Sequence, residues 1–274
     1  MKRQIFYTSE ESDDFSPVSV NAKTIDKRYV YPHKKSALWR GFSTFVYRAI
    51  ATPLAALYCK IKLGDKYIGR KKLRSVRGGC FFYMNHTMLT GDALTPNVAV
   101  FPRRNYMIVH PDNVSLPIIG KITPMLGALP LPGDAGSARG FSVEISEIIR
   151  RGGSVTVYPE AHVWPYFTGI RNFPSASFSY PVRLGAPVFA LTRTFSRGIF
   201  GRVKSTVYID GPFYPDPSMS APMAREALAD AVRSAMRERA ALSTFAPIEY
   251  IKVEKTPETS ENVNENLQTA EKNR

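Results

Sequence analysis

The stretch Gly79-Cys-Phe-Phe-Tyr-Met84 is an unbroken apolar run that ends at the polar pair Asn85-His86. A second β-rich run, Ser154-Val-Thr-Val-Tyr158, ends at Pro159-Glu160. Short runs of β-branched and aromatic residues are typical of strands that are buried on both faces, as in a parallel sheet. Because α/β proteins tend to carry functional side chains where such strands end, the two runs indicate both a fold class and a candidate site.

Strands and helices are predicted to alternate along the chain from residue 79 onward. Runs rich in Val, Ile, Phe and Tyr predict strands over 79–84, 105–110, 127–131, 154–159, 186–193 and 205–210. Apolar residues at helical spacing predict helices over 137–151 and 221–241, the first ending at a Gly-Gly pair and the second beginning after Ser220. This alternation predicts an α/β fold with a mainly parallel central sheet flanked by helices, preceded by an N-terminal interfacial helical segment.

The chain is expected to divide into four parts. Residues 1–30 are polar and of mixed charge, which predicts a loose N-terminal segment that does not resemble a signal peptide. Residues 31–78 form an apolar and then basic segment, and residues 79–250 form the main α/β domain. Residues 251–274 contain few bulky apolar side chains and are predicted to be a disordered tail.

The longest apolar stretch, 38–59, predicts a helix that lies in a membrane interface. Arg48 near its middle and Pro53, which is predicted to break the helix, argue against a transmembrane span. Residues 60–77 then carry eight basic side chains and a single acid, Asp65. An apolar segment next to a polybasic one is typical of binding to an anionic membrane. A core helix followed by a solvated charged loop is the alternative.

The overall charge also favours an anionic partner. The net charge is +14, and both ends of the chain are rich in acids, so the excess of basic residues lies in the middle. No nucleic-acid-binding motif accompanies the charge, and nucleic acid is therefore not predicted as a partner. The two cysteines do not form a disulfide framework and are expected to be buried thiols of a cytoplasmic protein.

His86 and Asp92 are the candidate catalytic residues. A neutral imidazole can accept a proton from a hydroxyl, and a carboxylate can orient the ring and stabilise the imidazolium. Six positions apart, the two cannot share one face of a regular helix, so they must meet across a loop or an irregular helix start. Gly91 is expected to allow this through a positive φ. A structural histidine followed by a helix-capping aspartate is the alternative.

Five short motifs, taken together, resemble those of the glycerolipid acyltransferases, the family that includes lysophosphatidic acid acyltransferases. They cover roughly residues 60–215 and stand in the family's order. They are Asn85-His86 with Asp92, Pro117-Ile-Ile-Gly120, Gly127-Ala-Leu-Pro-Leu131, Val157-Tyr-Pro159-Glu160 and Ala186-Pro187-Val-Phe-Ala-Leu191.

The resemblance implies that residues 79–250 are an acyltransferase domain of lipid metabolism. Such an enzyme moves a fatty acyl group from acyl-CoA or acyl carrier protein to a hydroxyl of a glycerolipid or lysophospholipid-type acceptor. It implies no cofactor besides that acyl donor, and a location at the cytoplasmic face of the membrane. It implies His86 as general base with Asp92, and Asn85, Glu160 and His162 as substrate-binding residues.

The sequence departs from the family where the family has phosphate-binding arginines. Val163 stands where the family has the arginine of its third motif. The arginine that usually ends the strand of the Gly127 motif is also missing, with Pro132-Gly133-Asp134 in that region. Either another cation replaces them, with Arg139, Arg171 and Arg193 as candidates, or the acceptor has no phosphomonoester.

Two other classes of function stay open at the level of the sequence. The first is a membrane-binding protein without catalytic activity on an acyltransferase scaffold. The second is a metal-dependent hydrolase that uses His86, His110, His162, Asp92 and Glu160. The ligand types would suit zinc or iron, but no His-x-x-x-His or Cys-x-x-Cys pair anchors such a site, so no metal is predicted.

Overall fold

A computed structural model describes residues 3–15 and 23–254. In chain order its strands are β1 (Arg3–Tyr7), β2 (Lys66–Ile68), β3 (Cys80–Met84), β4 (Asn105–Val109), β5 (Ala128–Pro130), β6 (Ser154–Val157), β7 (Val188–Arg197), β8 (Val203–Phe213) and β9 (Ile248–Lys252). Its α-helices are α1 (Ala37–Phe45), α2 (Thr52–Tyr58), α3 (Leu89–Val100), α4 (Asp112–Ser115), α5 (Ile119–Ile122), α6 (Ala135–Arg150), α7 (Ser179–Leu184) and α8 (Ala221–Ala240).

The central sheet has seven strands in the order β2-β8-β7-β3-β6-β4-β5. Each neighbouring pair is parallel except β7 with β8, which is antiparallel. The predicted α/β class with a mainly parallel sheet flanked by helices is thus confirmed. All of the predicted strands and helices occur, and their ends differ from the predicted ones by four residues or fewer.

Helices cover both faces of the sheet because alternate side chains of each strand point to opposite sides. Phe81 and Tyr83 of β3 pack with residues of α6 and α8 on one face. Phe82 and Met84 of the same strand pack with Ala99 and Val100 of α3 on the other face. The central strands therefore need apolar residues at every position, which explains the unbroken run at β3.

The N-terminal helical run is continuous from Ala37 to Leu63. π-helical turns over Val46–Ala51 and Cys59–Leu63 join α1 to α2 and extend α2. The prediction that Pro53 breaks the helix is wrong. Pro53 lies in the first turn of α2, directly after a π turn whose wider hydrogen bonding already interrupts the regular ladder. Among the described residues, no helix is both long and apolar enough to span a membrane.

Two of the predicted domain boundaries differ from the structure. β2 lies in the basic segment but pairs with β8, so the main sheet begins before residue 79. Residues 3–7 were expected to be loose but form β1, which pairs in parallel with β9. β9 in turn crosses the predicted boundary at residue 251. The rest of the predicted tail, 255–274, lies outside the described residues.

Candidate active site

The predicted pair of His86 and Asp92 is present as a contact. His86 follows the carboxyl end of β3, and Asp92 lies in the first turn of α3. The imidazole Nδ1 is 2.8 Å from Asp92 Oδ2. The pair thus meets across the short extended segment between a strand and a helix, as the six-residue spacing requires.

Asp92 is held by the backbone of that same segment. Its Oδ2 accepts hydrogen bonds from the backbone N–H groups of Thr87 and Met88, both at 2.9 Å. The carboxylate is almost completely buried, and its Oδ1 lies 3.8 Å from the Nε of Arg193. This fixed acceptor determines the histidine tautomer: Nδ1 must carry the hydrogen that Asp92 accepts.

The other ring nitrogen of His86 faces a more open environment. The side chain is 19% exposed, and among the described residues no hydrogen bond engages Nε2. With Nδ1 protonated, Nε2 of the neutral ring carries a free lone pair. The site therefore presents a proton acceptor at the carboxyl edge of the sheet, with a buried carboxylate behind it.

Gly91 contributes in a different way from the predicted one. It belongs to α3 and is not among the glycines with positive φ. A Cβ at this position would lie 2.5 Å from Met88 Sδ and 3.1 Å from Leu63 Cδ1. Glycine therefore leaves room here for the side chains of Met88 and of Leu63, which lies at the end of the N-terminal helical run.

Tyr158 contacts both members of the pair. Its ring stacks on the His86 imidazole, with centroids 4.2 Å apart and planes inclined by 26°. Its hydroxyl donates to the backbone oxygen of Asp92 at 2.6 Å. Burial and the negative charge of Asp92 raise the tyrosine pKa well above its ordinary value. Tyr158 therefore stays neutral and connects the end of β6 to both members of the pair.

Glu160 supports the backbone of His86 and does not point to an open space. Its Oε2 accepts the N–H of His86 at 3.1 Å, and its Oε1 accepts the N–H of Arg171 at 3.0 Å. The Arg171 guanidinium lies 3.4 Å from Oε2, and both side chains are buried. Burial raises the Glu160 pKa although Arg171 opposes the shift, and burial lowers that of Arg171. In this geometry both side chains hold the backbone around His86, and their roles as substrate-binding residues stay predictions.

Asn85 and Arg193 form a second buried support. The Asn85 amide donates to the backbone oxygen of Arg193 at 3.0 Å and accepts its N–H at 2.8 Å, which joins the end of β3 to the middle of β7. The Arg193 guanidinium pairs with Asp65 at 2.7 Å. Burial alone would lower its pKa, but Asp65 and Asp92 raise it above the ordinary value. Both side chains are buried, and their roles as substrate-binding residues stay predictions.

The remaining two predicted residues lie apart from the pair. His162 faces Asp14, with Nδ1 3.1 Å from Oδ2. Arg139 is exposed on α6 and makes no hydrogen bond with the other predicted site residues in the part of the chain that the structure describes. Their roles as substrate-binding residues stay predictions.

The histidines that the metal alternative requires are dispersed. His86, His110 and His162 each contact a different aspartate, namely Asp92, Asp112 and Asp14. Within residues 3–15 and 23–254, no three histidine, cysteine or acidic side chains form a group that could hold a metal ion. The described residues therefore do not assemble the ligand set of that alternative.

The sequence interpretation missed Asp65 as part of the site. Asp65 accepts from Arg193 and, at 2.8 Å, from Thr95 of α3, so it ties the N-terminal helical run to the elements around Asp92. Asp65 is the single acid among the eight basic residues of 60–77, and this isolation was a signal in the sequence that it has a specific role. Its partner was not visible, because Arg193 is 128 residues away.

The chain is similar to a solved structure. This is the crystal structure of the 1-acyl-sn-glycerophosphate (LPA) acyltransferase PlsC from Thermotoga maritima, with a TM-score of 0.49 and 17% sequence identity. The similarity covers 76% of this chain and 96% of that chain. No protein-family model matches the sequence, and no curated protein matches it significantly.

Proposed function

We propose that this protein is an acyltransferase that moves a fatty acyl group from acyl-CoA or acyl carrier protein to a hydroxyl of a lipid acceptor. The observation that carries the proposal is the pair of His86 and Asp92 at the end of β3, with Nδ1 bonded to a buried carboxylate and Nε2 unengaged among the described residues. The five sequence motifs that resemble the glycerolipid acyltransferases support it.

The proposed reaction needs no nucleophile from the protein. Nε2 of His86 accepts the proton of the acceptor hydroxyl as its oxygen attacks the thioester carbonyl carbon. Asp92 stabilises the imidazolium that forms. When the tetrahedral intermediate collapses, the C–S bond breaks, and the imidazolium returns the proton to the leaving thiolate. The products are an oxygen ester and a free thiol, and His86 ends in its starting state.

The N-terminal helical run gives a reason to propose a lipid acceptor. Large apolar side chains of α1 and α2, including Phe42, Phe45 and Leu54, are each more than half exposed. The far end of the run lies beside the site, because a Cβ added at Gly91 of α3 would be 3.1 Å from Leu63 Cδ1. We therefore propose that this run lies in the interface of an anionic membrane at its cytoplasmic face, which would bring lipid to the site.

We further propose that the acceptor carries no phosphomonoester. Arg171 and Arg193, two of the three cations that could have replaced the missing arginines, are buried and paired with Glu160 and Asp65. A guanidinium committed in this way has little left to offer a phosphate. Phospholipids with a substituted phosphate, glycolipids and aminolipids are the acceptors that this site favours.

The acyl transfer is tested with labelled acyl-CoA or acyl carrier protein and a panel of lysolipid acceptors. We expect transfer by the wild type, and a loss of at least a hundredfold in His86→Ala because the general base is removed. His110→Ala is the matched control, since that histidine is 60% exposed and pairs with a different aspartate. Activity that survives in His86→Ala would contradict the mechanism. Vesicle binding without turnover on any acceptor would point to a non-catalytic protein.

The same panel tests the acceptor. If no arginine binds a free phosphate, lysophosphatidic acid should be no better an acceptor than a lysophospholipid whose phosphate is substituted. A charge-assisted contact is worth roughly 1.5–3 kcal/mol, so its presence would appear as a preference of about tenfold to a hundredfold. A preference of that size would refute the inference, and Arg139→Ala would then be the first variant to measure.

A further inference from the structure

A cavity lies away from the His86 site, bordered by α1, the start of β4 and the last turns of α6. Its volume is about 280 Å³, and its lining includes Trp39, Arg40, Arg48, Arg103, Arg104 and Tyr106. Five arginines from separate parts of the sequence line it, namely Arg40, Arg48, Arg103, Arg104 and Arg151. Such convergence from distant parts of the sequence creates a concentrated positive charge within a concave surface.

This cavity opens at the edge of the sheet opposite to the catalytic pair. Arg103 and Arg104 precede β4, and Gly152 and Gly153 precede β6, so all four lie at the amino ends of parallel strands. His86 lies at the carboxyl end of β3, which is parallel to both. A strand of five residues separates the two edges by roughly 15 Å. The cavity is therefore not a subsite for a group next to the reacting hydroxyl.

Four of the arginines have no carboxylate to balance their charge. In the described part of the chain, no ion pair includes Arg40, Arg48, Arg103 or Arg104. Clustered like charges repel one another, and the repulsion is strongest where solvent is partly excluded. An arrangement of this kind is stabilised when an anion binds among the charges.

Neutral groups hold the guanidinium groups in place. Arg104 donates to the hydroxyls of Ser43 and Thr44, both at 2.6 Å, and its guanidinium lies over the rings of Tyr47 and Tyr106. Its Nε is buried and has no hydrogen-bond partner among the described residues. These contacts fix the orientation of the group without cancelling its charge, so the donor geometry exists before any ligand arrives.

Arg103 and Arg40 are held in the same way by backbone carbonyls. Arg103 donates to the backbone oxygens of Val76 and Gly78, and Arg40 donates to those of His33 and Lys35. Carbonyl oxygens carry no net charge, so these bonds also leave the positive charge uncompensated. Arg48 is exposed at the rim.

The two acidic residues that line the cavity, Glu144 and Glu147, already bond other groups. Glu147 bonds Arg150 and Arg151, and the bond from Arg150 lowers the Glu147 pKa to about 2. Glu144 is buried and accepts the backbone N–H of His33, whose ring it also contacts. Neither carboxylate forms an ion pair with the four arginines, which leaves a net positive cavity.

We propose that this cavity is a binding site for a phosphoryl group, carried by a soluble anion such as inorganic phosphate, pyrophosphate or a phosphorylated metabolite. Planar guanidinium groups match the oxygen spacing of phosphate in bidentate fashion, and several of them can share one anion. The volume of about 280 Å³ is sufficient for a small phosphorylated molecule. The site is independent of the acyl-transfer proposal.

The orientation of α1 favours a soluble anion over a lipid headgroup. Arg40, Ser43 and Thr44 line the cavity, whereas Leu38 and Phe42 are exposed. At 100° per residue these two sets lie on opposite faces of the helix. A membrane that contacts the apolar face would therefore lie on the far side of α1 from the cavity.

The proposal is tested by isothermal titration calorimetry of the full chain with pyrophosphate and with inorganic phosphate. We expect saturable binding, and Arg48→Ala should weaken it at least tenfold. Arg48 suits the test because its side chain is exposed at the rim. Arg74→Ala is the matched control, since it removes the same charge from an exposed position outside the cavity. Absence of binding, or equal weakening by both variants, would overturn the proposal.

Two further measurements assign the place and the source of the anion. Of the two tryptophans, Trp39 lines the cavity and Trp164 is fully buried elsewhere, so a fluorescence change on binding should disappear in Trp39→Phe. A change that persists in that variant would place the anion elsewhere and overturn the assignment. Vesicles that contain phosphatidic acid should leave pyrophosphate binding unchanged. Displacement of pyrophosphate by those vesicles would overturn the soluble source in favour of a lipid headgroup.

Discussion

His86 depends on a buried ion pair that never touches its ring. Glu160 accepts the backbone N–H of His86 while Arg171 balances the carboxylate, and both side chains are almost fully buried. Burying two charges costs several kcal/mol, and the mutual attraction recovers this only when other hydrogen bonds complete the site. The backbone N–H groups of His86 and Arg171 supply those bonds. The pair of Glu160 and Arg171 therefore fixes the backbone position of His86. Removal of either partner would leave the other as an unpaired buried charge.

Glu160 makes the stability of the protein depend on pH in a predictable direction. Burial raises its pKa in the folded protein, so the folded state keeps a proton that the unfolded chain loses near the ordinary glutamate pKa of about 4.3. The unfolding free energy must therefore fall as the pH rises from that value through the raised folded value. In Glu160→Gln this part of the slope should be absent.

Urea unfolding at intervals between pH 4 and pH 8 measures this effect, and the difference curve between wild type and Glu160→Gln isolates Glu160. Glutamine at this position also presents a donor to the N–H of His86, so the variant should be less stable at every pH. A difference curve that is flat, or that shows wild-type stability rising with pH in this window relative to the variant, would show that the folded state does not retain the proton.

The sequence indicates where the candidate site residues lie but not which contacts their polar atoms make. It identifies polar residues at strand ends, and His86 and Asp92 lie in contact as predicted. It cannot show which donors and acceptors are satisfied by distant backbone. Asn85 is an example, because the oxygen and the nitrogen of its side-chain amide both bond the backbone of Arg193, 108 residues away in the chain.

At the scale of elements, the loop after β6 is shaped by an unusual backbone. Ala161 has a φ of +63°, a left-handed conformation in which a Cβ is unfavourable. The turn brings Glu160 under His86 and lets the N–H groups of Trp164 and Tyr166 donate to the backbone oxygens of His86 and Thr87. The strained residue thus lies where the loop changes direction to follow the segment that carries His86.

Replacing Ala161 by glycine should not destabilise the protein. Relief of the left-handed conformation is worth roughly 1–2 kcal/mol, and the added freedom of the unfolded chain costs about 0.5–1 kcal/mol. The free energy of unfolding should stay unchanged or rise by up to about 1.5 kcal/mol. Ala227→Gly is the matched control, since Ala227 is exposed within α8, where the same substitution should cost about 1 kcal/mol. Equal losses in the two variants, measured by urea unfolding, would contradict this reading.

Elements with strong local signals were predictable, whereas those defined by a distant partner were not. β3 and β6 were visible as apolar runs, and α8 was visible through Leu228, Val232 and Met236 at four-residue spacing. β1 gave no such signal, because its pattern is mostly exposed and its partner β9 begins 245 residues further on. The π turns of the N-terminal run were equally hidden, since their sequences have ordinary helical composition.

At the scale of the whole molecule, the exposed apolar side chains and the basic residues lie on one continuous segment. Leu54, Leu57 and Ile61 are each more than half exposed, although Tyr47 and Cys59 in the same run are buried. All eight basic residues of 60–77 are exposed, and the single acid among them, Asp65, is buried against Arg193. The segment therefore offers an anionic surface both apolar contact and positive charge.

Removing two of the apolar contacts should release the protein from membranes. Leu54→Glu/Leu57→Glu changes exposed positions, so the core is not disturbed, but the variant loses apolar burial worth roughly 1.5–3 kcal/mol per fully buried leucine and gains two charges that anionic lipid repels. Sedimentation with vesicles that contain anionic lipid should show binding weakened at least tenfold. Met223→Glu is the matched control, since Met223 is 61% exposed on α8. Wild-type binding should also weaken as salt increases, because ions screen the basic residues. Binding that is indifferent to both the double substitution and salt would mean that another surface meets the membrane.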